Sequence, residues 1–200
     1  MEEKTSISAC ILAGGMSSRF GEDKALFPFK GKPLIMHVIE ILRLIFDDIA
    51  VIGDDSDRYS FTGLSRHRDI VPGSGPLGGI YTALSVMRTE RVFVCACDMP
   101  YLNRDFISYI IAVSRTHEAA VPVVHGLYEP LHAIYSNACR DRAKRLLDRG
   151  ERRIAPLFNE VAIREVTEDE IRRFGDPAQI FMNINTRRDA SRRVLIFMKI

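Results

Sequence analysis

Gly14-Gly-Met-Ser-Ser-Arg-Phe-Gly-Glu-Asp-Lys24 gathers three glycines, two hydroxyls and two cations into one short stretch directly behind an apolar run, Ile11-Leu-Ala. Gly14, Gly15 and Gly21 allow the backbone positive φ and a close approach to a ligand. Their N–H groups, with Ser17 and Ser18, can point at phosphate oxygens. Arg19 can hold two of those oxygens at once, whereas Lys24 acts as a point charge. The stretch suits a nucleoside triphosphate, yet no Gly-Lys-Ser/Thr closes it as in a P-loop. A surface turn with solvated charges is the weaker alternative.

A second chemical group is Asp98 in Cys97-Asp-Met-Pro100, at the end of the apolar run from Val92 to Ala96. Mg²⁺ is commonly held by one or two carboxylates together with substrate phosphates, which suits Asp98. The competing role is a helix cap, for which Asn103 stands in the better position. Gly73-x-Gly75-x-x-Gly78 matches the dinucleotide fingerprint, with Asp98 about 20 residues on as the ribose acid. That would make a nicotinamide-dependent oxidoreductase, but no strong strand leads into the motif and the Gly14–Lys24 loop would be left without work. Asn183 and Asn185 share one face if Phe181–Ile184 is a strand; a turn before a last helix capped by Thr186 is an equal reading. His37, His67, His117, His125 and His132 read as structural or solvated.

The elements that must carry these groups follow from hydrophobic pattern. Near-continuous apolar runs at Ile7–Ala13, Ile49–Ile52, Arg91–Cys97 and Ala119–Val124 predict strands covered on both faces. Helical spacing of Leu34, Val38, Ile41, Leu42 and Ile45 predicts a helix with Pro33 in its first turn. Further helices are expected at Ile80–Met87, Phe106–Ser114 and Ala138–Asp148, a loop at Pro72–Gly79 and a strand at Leu131–Tyr135. The alternation predicts a single α/β domain over residues 1–200, doubly wound around a mostly parallel, Rossmann-like sheet. In such a sheet the loops at Gly14, Pro72 and Asp98 would meet beyond the strands' carboxyl ends.

Bulk properties agree. The chain has 200 residues, 46% of them hydrophobic and 27% charged, with net charge +2. That balance gives no reason to expect a nucleic-acid partner. The basic run Arg140 to Arg153 is either a solvated helix face or an anion site. No apolar stretch approaches a membrane span, and Met-Glu-Glu-Lys lacks a signal-peptide layout. Cys10, Cys95, Cys97 and Cys139 form no zinc spacing, so a reduced, cytoplasmic protein is expected.

Taken together, Leu12-Ala-Gly-Gly-Met-Ser-Ser-Arg-Phe-Gly-Glu-Asp-Lys-Ala-Leu26, Gly31-Lys-Pro-Leu34, Gly75-Pro-Leu-Gly-Gly79 and Cys97-Asp-Met-Pro100 resemble the molybdenum cofactor guanylyltransferases. Glu129-Pro-Leu-His-Ala-Ile-Tyr135, Gly150-Glu-Arg-Arg153 and Asn183-Ile-Asn185 extend the resemblance to about Asp189. It implies a nucleotidyltransferase that joins GMP from GTP to molybdopterin. By resemblance, Leu12, Ala13, Gly14, Gly15, Arg19 and Lys24 bind the triphosphate and guanine, joined by Asp69 and Gly78. Asp98 holds Mg²⁺, Arg19 and Lys24 assist transfer, and Asn183 and Asn185 belong to the pterin side. Two positions depart from the pattern: Gly53 stands where members often carry Asn, and Glu129 where Gln or His is usual. A cytidylyltransferase for the same pterin, a sugar-phosphate nucleotidyltransferase and a non-catalytic nucleotide-binding module are the rivals. Gly15 with Asp23-Lys24 resembles the guanine-using branch. For the apolar tail Val194–Ile200, docking on the core, exchange between subunits, and contact with a cofactor-receiving enzyme or chaperone all stay open.

Overall fold

Alternate residues of the central strand point into two separate apolar layers, and this sorts the rest of the chain. A computed structural model describes residues 7–13, 23–53, 56–186 and 189. Strand β1 (Ile7–Leu12) sends Ala9 and Ile11 to one side and Cys10 to the other, all fully buried. Ala9 and Ile11 pack with α1 (Leu34–Leu42) and α3 (Arg104–Val113). Cys10 packs with α2 (Gly75–Val86), α4 (Ala138–Asp148) and α5 (Ala155–Phe158). Strands β4 (Ile49–Ile52) and β6 (Arg91–Ala96) divide in the same way, which explains their unbroken apolar runs.

The remaining strands are β2 (Pro28–Phe29), β3 (Lys32–Pro33), β5 (Ser65–His67), β7 (Ala119–Val124), β8 (Leu127–Tyr128), β9 (His132–Ser136) and β10 (Ile163–Val166). Helices α6 (Glu168–Arg172) and α7 (Pro177–Ile180) follow β10, and 3-10 turns occupy Lys24–Leu26 and Ser56–Thr62. The main sheet runs β10-β7-β9-β6-β1-β4-β5, with β8 paired to β7; β2 and β3 form a separate hairpin. Pairing is parallel at β5–β4, β4–β1, β1–β6 and β7–β10. Strand β9 is antiparallel to both β6 and β7, so β7 again points with β6. The mostly parallel expectation therefore holds, with β9 reversed inside the sheet and the two-residue β8 antiparallel to β7. Lys30 and Gly31, and likewise His125 and Gly126, take positive φ as the two central residues of tight hairpins.

Several sequence boundaries need correction. Helix α2 starts at Gly75, not Ile80, so the expected Pro72–Gly79 loop ends at Ser74 and Gly78 and Gly79 are helical. A Cβ on Gly79 would stand 2.7 Å from Leu12 Cδ1, so the glycine permits close helix–strand packing. Pro33 precedes the first turn of α1 as its N-cap. Strand β9 lies one residue later than expected. Phe181–Ile184 is not a strand: α7 ends at Ile180 and the chain continues without regular structure. Asn103 does cap α3, its side chain accepting the Phe106 N–H at 2.9 Å.

Candidate active site

The ladder brings Ile52, Leu12 and Ala96, the last residues of β4, β1 and β6, into one row. Each chain leaves that row in the same direction. Ala13 N–H reaches Ile52 O at 2.7 Å, Cys97 N–H reaches Leu12 O at 3.1 Å and Gly53 N–H reaches His67 O at 3.1 Å. Because β9 is reversed, its entering residue Leu131 arrives at the same end and accepts the Ala96 N–H at 3.2 Å. Beyond this rim the strand backbones no longer satisfy one another, and side chains take over.

Asp98 is the centre of what they build. Its Oδ2 is paired with the Lys24 ammonium, both side chains about 15% exposed. Lys24 Nζ also donates to Asn185 Oδ1 at 2.7 Å. Asp98 O accepts the Ile184 N–H at 3.0 Å, fastening the Asn183–Asn185 segment to the end of β6. Ile184 is buried against Phe29 and Leu34, while Asn183 and Asn185 on either side are exposed. The alternation expected of a strand is thus present without a strand's ladder.

Asp98 Oδ1 is buried and, among the described residues, has no hydrogen-bond partner. An ionised carboxylate oxygen in that state is costly unless something completes it. A Mg²⁺ ion carried in with phosphates would do so, and a single carboxylate is a normal protein contribution to such an ion. Among the described residues no cluster of three or more metal-ligating side chains exists. The Asp98 carboxylate therefore fits a metal shared with a substrate's phosphates.

Lys24 opens its 3-10 turn behind Asp23, whose Oδ1 accepts the Ala25 N–H at 3.0 Å. Asp23 Oδ2 accepts from the Tyr59 hydroxyl at 2.8 Å, and the same hydroxyl lies 3.1 Å from Ala13 O. Sequence reading missed Tyr59; its partners lie 36 and 46 residues away, beyond any local pattern. Asp69 is tied to α2: its Oδ1 accepts from Thr82 Oγ1 at 3.4 Å, and that hydroxyl accepts the Ile70 N–H at 3.0 Å. Gly78 sits in the first turns of α2, where a Cβ would meet Ser74 Cβ at 2.6 Å. The geometry thus joins Lys24, Asp98 and Asn185 directly. Leu12 and Ala13 lie at the adjoining strand end, and Asp69 and Gly78 on the α2 side. Gly14, Gly15 and Arg19, with Ser17, Ser18, Gly21 and the tail Val194–Ile200, lie outside the described residues.

Other titratable groups are poorly suited to react. Burial pushes the Cys10, Cys95 and Cys97 thiols far above their ordinary range, so they are neutral packing groups. Burial likewise raises the Glu129 carboxyl. His132 is fully enclosed and pushed down to about 3 by burial. In the basic run, Arg140, Arg142 and Arg145 on α4 and Arg153 beyond it pair with Asp141, Glu118, Glu160 and Glu151 at 2.7–3.4 Å.

Comparison with known proteins identifies the family. The family described as MobA-like NTP transferase domain matches residues 9–162. A probable molybdenum cofactor guanylyltransferase of Carboxydothermus hydrogenoformans is 30% identical over 96% of this chain and 96% of its own length. One of the same name from Methanosarcina mazei is 33% identical over 94% of this chain and 90% of its own. The crystal structure of molybdopterin-guanine dinucleotide biosynthesis protein A from Archaeoglobus fulgidus superposes with a TM-score of 0.82. It is 25% identical and covers 96% of this chain and 100% of that one. The chain belongs to the MobA-like NTP transferase family and is a nucleotidyltransferase.

Proposed function

We propose that this chain acts as one nucleotidyltransferase unit that transfers GMP from GTP to the terminal phosphate of molybdopterin. An acceptor phosphate oxygen bonds to the α-phosphorus of GTP as the bond to the β-phosphate oxygen breaks, and pyrophosphate leaves. The observation that carries the reading is the Lys24–Asp98–Asn185 contact at the ends of β1 and β6, with Asp98 Oδ1 left unpartnered. The relatives' names supply guanine and pterin as the two substrates.

Each residue then has a part. Asp98 would hold Mg²⁺ through Oδ1, and the ion would supply positive charge to the phosphate oxygens. Lys24, released from its pairing by the arriving phosphates, neutralises charge developing on pyrophosphate, and Arg19 shares that work. Leu12 and Ala13 serve the nucleotide, joined by Gly14 and Gly15 on the strength of the family resemblance, with Gly78 on α2 and Asp69 bonded to that helix. Asn183 and Asn185 face the acceptor. The segment's attachment to Asp98 O keeps acceptor and nucleotide in register, the main demand of an in-line transfer. No protein base is needed, because a phosphate monoester with a second pKa of about 6 is already ionised near neutrality.

Among the described residues no helix is long and apolar enough to cross a membrane. We place the reaction in the cytoplasm, with hand-over to a cofactor-receiving enzyme or chaperone and no role for nucleic acid or a lipid surface. The test is thermal stability with Mg²⁺ and GTP, CTP, ATP, UTP or NAD, followed by pyrophosphate release on adding molybdopterin. A ligand that binds only the folded state raises the midpoint. GTP alone should do so, and chelation should remove the effect. A response to CTP alone would assign the chain to cytidylyl transfer, and a response to NAD alone would defeat the nucleotidyl reading.

A further inference from the structure

We infer that Tyr59 is a positioning residue for the nucleotide site, acting through Asp23 to set where Lys24 stands. The inference rests on the nucleotidyl-transfer reading of the Lys24–Asp98 pair. Tyr59 lies in the Ser56–Thr62 turn that follows β4, at a kink where φ −96° and ψ 15° interrupt the helical path. The residue is 3% exposed and packs within the α1-side apolar layer.

The turn itself is anchored. Thr62 Oγ1 donates to Tyr59 O at 2.7 Å, and Arg43, at the end of α1, donates to Thr62 O at 2.8 Å. From this fixed base the phenol reaches two acceptors: Asp23 Oδ2 at 2.8 Å and Ala13 O at 3.1 Å. A phenol has one proton, so the shorter, charged contact takes the greater share. The two acceptors flank residues 14–22, one at the end of β1 and the other at the cap of the Lys24 turn. One hydroxyl therefore ties the start of the Lys24 turn to the central strand. Burial and the neighbouring Asp23 both hold the phenol protonated, so the tie persists at any working pH.

Tyr59→Phe keeps the ring that fills the core and deletes the tie. Asp23 Oδ2 then turns to water, and the Lys24 turn loses its lateral reference to Asp98 and Asn185. Small misplacements of a charged group cost ten- to hundredfold in well-ordered sites. The experiment is titration of the purified full chain with GTP in Mg²⁺, alongside its thermal midpoint without nucleotide. Tyr59→Phe should weaken GTP binding about tenfold while moving the nucleotide-free midpoint little. Asp23→Asn, which keeps an oxygen for the turn cap, should weaken binding comparably, and the double variant no further, since both act on one contact. Unchanged GTP affinity in Tyr59→Phe, or a double variant whose losses multiply, overturns the inference. So does a lowered nucleotide-free midpoint with affinity intact, which marks a purely structural hydroxyl. If the unmodified chain binds a nucleotide other than GTP, the guanylyl reading fails and the same comparison is decided on that nucleotide; if it binds none, both fail.

Discussion

Asp98 and His132 lie toward the same end of the sheet, and the chain treats them in opposite ways. His132 is in register with Cys95, three residues before Asp98. Asp98 sits just past its strand, where a loop brings Lys24 to one carboxylate oxygen and leaves the other without a partner. His132 opens its strand, ringed by Phe93, Phe106 and Phe181 at centroid distances of 5.0–5.4 Å, with both ring nitrogens unpartnered among the described residues. A charge is kept where a loop delivers a counter-charge and suppressed where only aromatic rings surround the group. The difference is one of position along the strand, and it separates a group available for chemistry from one reserved for packing.

The contrast can be broken at each end. Removing the retained charge has the largest expected effect: Asp98→Ala should lower guanylyl transfer about a thousandfold, as loss of a metal or oxyanion contact does. Its fold should survive, which circular dichroism and the thermal midpoint would verify; transfer at the parental rate would refute the role. Lys24→Ala comes next, with an expected ten- to hundredfold rise in the GTP dissociation constant. It also leaves Asp98 without its counter-charge, so the nucleotide-free midpoint should fall, and Asp98→Asn in the same chain should restore it.

The suppressed charge is read through pH. Folding lowers the His132 pKa from 6.5 to about 3. Between those values the unfolded chain binds a proton that the folded chain refuses, so stability falls as pH falls, by at most about 1.4 kcal/mol per pH unit. His132→Leu should flatten that part of a stability profile, and an acid limb as steep as before would assign the loss elsewhere. The smallest effect is expected at Gly79→Ala. There a new methyl meets Leu12 Cδ1, the far end of a side chain that can swing. A loss of about 1 kcal/mol by denaturant titration is expected, and a stabilised variant would show that the close approach is not a constraint.

Much of this was legible in the chain for definite reasons. Strands β1, β4, β6 and β7 announced themselves because both of their faces are covered, leaving only Ser8 and Arg91, each near a strand's start, to interrupt the apolar pattern. Strand β5, Ser-Arg-His, was invisible because an edge strand with exposed side chains carries no apolar signal. The start of α2 was hidden because Gly75-Pro-Leu-Gly-Gly79 has the composition of a loop; only the packing of Gly79 on Leu12 explains a helix there. The direction of β9 was equally hidden, since an apolar run has no polarity of its own. In the site, Asp98 and Lys24 were readable by residue type and context, whereas their direct pairing, the link to Asn185 and the Tyr59 hydroxyl depend on contacts 36 to 161 residues apart.

The reversal of β9 bears on how relatives of this chain can diverge. Two parallel neighbours must be joined by a crossover that spans the sheet, so its length is constrained by the distance it must cover. Strands β7 and β9 run in opposite directions, and the chain between them simply doubles back beside the rim, carrying the β8 hairpin as it goes. Residues can be gained or lost there without rethreading anything. Because that turn-back overlooks the row from which Asp98 rises, its length can change beside the site at little risk to the core.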